Sequence, residues 1–275
     1  MTGPLQIAQK TVRFYRENLS DCLLFGLLSQ SISIIGLALS PLKRLLVLSE
    51  NLSPEWLSEH LGQTMTIGIT SVLWLIINFW LYLLIAGALA RFVWKRDRNE
   101  EAHAVSSTLQ TFDQGGPLLW ANLLTGLIIG AAALFTSIMF FLYKTGASES
   151  GGGFIISLLL SVAMGGVVFL CLKFSLVTAV VLFEGRRGMH ALNRSWFLMT
   201  GREFDAFMLF TLLFAIFLLF GMLMGVLQGG DMNTTPNPDA PSWSLLENLI
   251  GIIIAPLFPI GITQFYQTII ADQKG

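Results

Sequence analysis

Residues 154–180 read FIISLLLSVAMGGVVFLCLKFSLVTAV, with a single charge, Lys173, in the whole stretch. A run this long and this apolar is a membrane span, because crossing a hydrocarbon core of about 30 Å takes about 20 apolar residues in a helix. Lipid offers the backbone no hydrogen bonds, so the segment must satisfy its own N–H and C=O groups as a helix.

Five further runs of this kind flank it, at 22–39, 64–90, 117–142, 207–227 and 245–270. The expected fold is therefore all-α: a polytopic membrane protein with six transmembrane helices in three hairpins. Composition agrees. Hydrophobic residues are 54% and charged residues 12%, against roughly 25% charged in a soluble domain; mean hydropathy is +0.69. The first run is long for a cleaved signal segment, whose apolar part is about 7–15 residues.

Basic residues orient the chain. Lys10, Arg13, Arg16, Arg91, Lys95, Arg96, Arg98, Arg186, Arg187, Arg194, Arg202 and Lys274 fall on one side of the expected spans. Only Lys43, Arg44 and Lys144 fall on the other. The positive-inside rule then predicts cytoplasmic amino and carboxyl termini.

Amphipathic stripes precede the hairpins: Leu5, Ala8, Val12, Tyr15 and Leu19; Met189, Leu192, Trp196 and Met199; and, more weakly, Val105, Leu109 and Phe112. Such stripes suit helices lying at the headgroups. They predict a threefold repeat of elbow, span, outer loop and span over 5–90, 104–183 and 188–270, within one domain of residues 1–275. Thr200 with Glu203, and Ser244 with Glu247, have capping-box spacing. Ser53-Pro54-Glu55 resembles a helix start, and 229–241 reads as a turn.

Lys173 is the first candidate functional residue, since an ionisable group at the centre of a span costs at least about 2.5 kcal/mol. A lysine near a span end can instead extend its stem to the headgroups. Lys10, Arg13, Arg16, Lys173, Arg194 and Arg202 are the candidate contacts to anionic lipid headgroups. Glu184 with Arg194 is a candidate structural ion pair. Asn78, Lys173 and Gln264 are the candidates to line a cavity if the protein moves a lipid or small amphiphile. Pro256 and Pro259 break the last span, as helices at transport sites do, although no second proline pair accompanies them. The pairs Gly126/Gly130, Ser161/Gly165, Gly221/Gly225 and Gly251/Ala255 have the spacing of close helix packing within the chain.

Catalytic motifs are missing. His60, His103 and His190 lie in separate segments without ligand spacing, and Cys22 and Cys171 read as buried structural thiols. No metalloprotease helix, phosphate-binding loop or nucleophile elbow is present. The expectation is no enzyme, no cofactor and no metal. A net charge of −1 gives no reason to expect nucleic acid.

Lys173-Phe174, an apolar run, Glu184-Gly185, and then Ala191-Leu192 with Ser195 and Leu198 form a pattern. It resembles the YciC-like and glycerophosphodiester-phosphodiesterase membrane-domain superfamily of prokaryotic six-span proteins. The match covers about 35 residues. The resemblance implies a prokaryotic inner-membrane protein and a role for these residues in holding the elbow against the bundle. The phosphodiesterase activity of some fused members has no domain to carry it in this sequence. The functional expectation is a non-enzymatic envelope, lipid-associated or accessory component, with other membrane proteins as further partners; the alternative is a transporter of a lipid or small amphiphile.

Overall fold

The computed structural model describes residues 3–38, 61–146, 153–227 and 251–273. All regular structure among them is helical. The helices are α1 (Pro4–Glu17), α2 (Leu19–Ala38), α3 (Leu61–Arg96), α4 (Ala104–Phe112), α5 (Gly115–Gly146), α6 (Gly153–Phe174), α7 (Val177–Glu184), α8 (Met189–Met199), α9 (Glu203–Leu227) and α10 (Leu257–Asp272). Four stretches are long and apolar enough to cross a membrane: Gly68–Arg96, Gly115–Phe141, Ser157–Glu184 and Gly251–Asp272. The first expected span is represented by a shorter apolar helix, Leu19–Ile32, and α9 is not among the four. Ser53-Pro54-Glu55, the turn at 229–241 and the Ser244/Glu247 spacing lie outside the described residues.

Two of the four stretches are broken. The fourth expected span is not one helix: it bends between α6 and α7 at Ser175. There the Ser175 N–H and hydroxyl both bond to the Leu172 carbonyl, at 3.2 and 2.8 Å, which tightens the turn. The Lys173 carbonyl at the bend accepts the Ser195 hydroxyl at 2.7 Å. A side chain thus supplies a bond at the break, as apolar surroundings require. The other break is at Ala255–Pro256, where the sequence places proline.

The three short helices α1, α4 and α8 have a consistent packing pattern. α1 lies against α9 and α10, α4 against α3, and α8 against α6 and α7. Each also has an apolar face turned away from the protein. α1 buries Ile7, Ala8, Thr11 and Phe14, leaving Leu5 and Val12 exposed. α4 is inverted: Ala104, Ser107 and Thr111 face inward, while Val105, Leu109 and Phe112 face outward. α8 buries Ala191, Leu192, Ser195, Leu198 and Met199 and exposes Met189, Trp196 and Phe197. The stripes read from sequence are therefore split: Ala8, Leu192 and Met199 belong to the protein-facing side, and Leu5, Val12, Met189 and Trp196 to the other.

The ends of α3, α7 and α10 meet. Trp94 of α3 stacks on Phe183 of α7 with ring centres 4.3 Å apart, and Tyr266 of α10 lies 5.9 and 5.7 Å from the two. An acidic residue sits at or just past each end: Asp97, Glu184 and Asp272, spaced 87 and 88 residues apart. Each is ion-paired, to Lys10, to Arg194 and Arg186, and to Arg202 respectively. Asn18, at the α1–α2 corner, accepts the Arg96 Nε at 3.1 Å and so ties that corner to the end of α3.

Two of the small-residue pairs do not pack as their spacing suggests. Gly126, Gly130 and Gly165 have no atom within 4 Å of where a Cβ would sit, and Ser161 is exposed, so these stripes face out of the bundle. Gly251, of the Gly251/Ala255 pair, does approach α2 closely, against the Gln30 side chain, and another close approach is made at Gly87. A Cβ on Gly87 would lie 2.9 Å from the Thr111 methyl and 3.3 Å from Leu182 Cδ1. Gly87→Leu is expected to lower the melting temperature in detergent, since overpacking costs about 1–3 kcal/mol, whereas Gly126→Leu leaves it unchanged. Thermal unfolding of the two purified variants beside the parent checks this.

Candidate functional site: a buried ion pair and an apolar cleft

Lys173 is buried, with 3% of its side chain exposed. Its ammonium lies 2.6 Å from Glu203 Oε1 and donates to the Thr200 hydroxyl at 3.2 Å. The ring centres of Trp196 and Phe169 are 5.0 and 5.3 Å from Nζ. The cation is thus enclosed by a carboxylate, a hydroxyl and two aromatic faces, the partners that make a buried charge tolerable. Thr200 and Glu203 do not form the capping box that their spacing suggests. Thr200 closes α8, bonding its hydroxyl to the Trp196 carbonyl at 2.9 Å, and Glu203 opens α9 with its carboxylate directed to Lys173.

Between α6 and α9 lies a cleft of about 610 Å³, whose lining includes neither Lys173 nor Glu203. Val167, Val168, Cys171, Leu172 and Ser175 form one wall, Phe207, Phe210, Thr211 and Phe214 the other, and Phe258 also lines it. Both walls carry exposed residues, among them Val168 and Phe214, so the cleft opens sideways. Cys171 is exposed here, contrary to the expected burial, while Cys22 is buried. The hydroxyls of Ser175 and Thr211 already donate to their own helices, leaving an essentially apolar lining. From Ser175 to Val167 the cleft runs about 12 Å along the helix, close to the depth of about 15 Å of one leaflet.

Glu184 is the centre of a second charged cluster. Arg194 Nε lies 3.0 Å from both of its oxygens, Arg186 Nε is 3.0 Å from Oε2, and the Tyr266 hydroxyl donates to Oε1 at 3.0 Å. Arg194 also donates to Gln273 at 3.3 Å. Gly185, which follows, has φ +68°, a left-handed conformation in which glycine ends α7 without strain. The residues of the sequence pattern converge here: Ala191, Leu192, Ser195 and Leu198 are buried and seat α8 on the α6–α7 bend.

The candidate headgroup residues divide. Lys10 pairs with Asp97, Lys173 with Glu203, Arg194 with Glu184 and Arg202 with Asp272. Arg13 and Arg16 are exposed and have no acidic partner among the described residues. The three candidate cavity residues are not brought together. Asn78 donates to the carbonyl of Trp74 on its own helix at 2.9 Å, and Gln264 lies 3.0 Å from the Thr11 hydroxyl. None of the three candidates, Asn78, Lys173 or Gln264, lines the cleft, nor the crevice of about 10 Å³ beside Pro256 and Pro259. Among the described residues no three His, Cys, Asp or Glu side chains gather as a metal site.

Sequence reading missed Glu203, Thr200, Trp196 and Phe169 as the surroundings of Lys173. One signal was present: a lysine in an apolar span needs a carboxylate, and Glu203 and Asp205 begin the next apolar run.

Glu203→Gln strands a buried ammonium, so it is expected to destabilise more than Lys173→Met, with the double substitution recovering most of the loss. Removing one partner of a buried pair costs about 3–5 kcal/mol; Glu203 is partly exposed, so a smaller loss is expected here. The hydrogen bond from Lys173 chiefly holds the Glu203 carboxyl below its ordinary value of 4.5. The stabilisation is then complete above that value and lost as pH falls through the lowered one. Melting temperature is expected to fall more steeply below pH 4.5 in the parent than in Glu203→Gln. Comparison of the chain with family models, with curated proteins and with solved structures finds no match.

Proposed function

We propose that this chain is a six-span membrane domain of three hairpins with interfacial elbows, and that it serves as a non-enzymatic, lipid-associated component holding one lipid in the cleft between α6 and α9. The cleft carries the reading. An apolar opening in the side of membrane helices fills with acyl chain, because lipid is the solvent there and water would find no partners. Its length is close to the depth of one leaflet.

Three observations support the repeated layout: the spacing of Asp97, Glu184 and Asp272, the meeting of Trp94, Phe183 and Tyr266, and the seating of each elbow on a neighbouring span. The outward apolar faces of α1, α4 and α8 support elbows lying in the headgroup layer. The basic residues at that end support cytoplasmic termini in a prokaryotic inner membrane. Membership of the YciC-like superfamily is part of the same proposal, supported by the convergence of the pattern residues on the α6–α8 junction.

A transporter reading draws on the helix breaks at Ser175 and at Ala255–Pro256. The separate bonding of Asn78, Lys173 and Gln264 weighs against it.

Purification in mild detergent followed by mass spectrometry tests the leading reading. A retained lipid, lost when Thr211→Trp fills the cleft, is the expected result. A lipid-free preparation with a stoichiometric protein partner would replace it with the accessory role. Orientation is tested separately: with Cys22 and Cys171 replaced by alanine, a cysteine at Glu100 is expected to resist an impermeant thiol reagent in intact cells and to react after lysis.

A further inference from the structure

Of the six basic side chains placed for headgroup contact, Lys10, Lys173, Arg194 and Arg202 are already neutralised by carboxylates of the chain. Arg13 and Arg16 are exposed, with no acidic partner among the described residues, and both belong to α1. We infer that α1 docks on anionic phospholipid, with Leu5 and Val12 among the acyl chains and Arg13 and Arg16 sharing one headgroup phosphate. This rests on the reading of the elbows as lying in the headgroup layer, and it names the lipid class and the residues that recognise it.

The sides of α1 have separate tasks. Ile7, Ala8, Thr11 and Phe14 face the protein. Leu5 and Val12 form an outer apolar strip, 59% and 47% exposed. With 3.6 residues per turn, Arg16 falls about 20° from Leu5 and about 40° from Val12, so it rises from the apolar strip itself. Arg13 lies about 80° from Leu5, on the polar flank of the strip. Lys10 and the exposed Glu17 are farther round, about 140° and 120° from Leu5, and Lys10 is held by Asp97 at 2.8 Å. When the strip lies among acyl chains, Arg16 stands at the level of the phosphates, where a cation needs an anion. Arg13 and Arg16 are three residues apart, hence neighbours on the helix surface, and their like charges repel. One phosphate between them removes that repulsion, and a guanidinium fork can take two of its oxygens. In a zwitterionic headgroup the lipid's own amine competes for the phosphate. An anionic headgroup carries no such rival, and its charge is attracted by each nearby basic residue by about fivefold in affinity.

Native mass spectrometry of the full chain, released from nanodiscs of equal parts phosphatidylglycerol and phosphatidylcholine, tests the inference. The parent is expected to retain phosphatidylglycerol preferentially. Arg13→Gln and Arg16→Gln are each expected to lower the retained ratio by about fivefold, and the double variant to lower it further. Both side chains are exposed, so the variants are expected to melt as the parent does. Lys10→Met with Asp97→Asn removes a cation that is already matched and is expected to leave the ratio unchanged. The same ratio in the parent and in the Arg13→Gln, Arg16→Gln double variant overturns the inference. So does a preference abolished by Thr211→Trp, which would put the anionic lipid in the α6–α9 cleft instead. A spin label at Val12→Cys, with Cys22 and Cys171 replaced by alanine, separates this from the reading beneath it. A label relaxed by dissolved oxygen, with a ratio indifferent to Arg13 and Arg16, overturns the headgroup inference and leaves the elbow in the membrane. A label relaxed instead by an aqueous nickel chelate takes α1 out of the membrane and the inference with it.

Discussion

A lysine ammonium held at 3% exposure among apolar helices must have its charge met from within the chain. Much of the α6–α9 region follows from that requirement. Glu203 has to stand at the first turn of α9, Thr200 has to end α8 beside it, and Trp196 has to turn a face toward Nζ. The same lysine presents its carbonyl at the bend after α6, where the Ser195 hydroxyl takes it. One residue thus joins three helices through both its side chain and its backbone.

The Glu184 cluster does comparable work at the other side of α8. Arg194 holds α8 to the end of α7, and Tyr266 brings α10 to the same carboxylate. Lys10 and Arg202 make corresponding bridges to Asp97 and Asp272. Surface ion pairs contribute little singly. These are arranged at the ends of helices whose sides meet through Trp94, Phe183 and Tyr266, so charge and aromatic contact fix the same three ends.

The helical class and the short amphipathic helices were legible in the sequence because lipid makes composition decisive. Which face of an amphipathic helix meets the protein was not legible. For α1, the sets Ile7/Thr11/Phe14 and Leu5/Val12 are both compatible with a nonpolar surface, and lipid and protein interior are nearly the same solvent to a leucine. Glycine spacing misled for the same reason: Gly126 and Gly130 look like a packing stripe whether or not a helix lies on them. The bend at Ser175 lacked the proline that marks the one at Pro256. The Thr200–Glu203 spacing fits a cap and a lysine seat equally well, and only the position of α6 decides between them. Glu184 with Arg194 could be named as a pair because both lie close to one helix end; Lys173 with Glu203, 30 residues apart, required the fold.

α4 has an outward surface of Val105, Leu109 and Phe112 over an inward one of Ala104, Ser107 and Thr111. With the comparable faces of α1 and α8, it adds nonpolar surface outside the packed helices. Such area is unfavourable in water, so all three short helices gain from any apolar solvent that meets them.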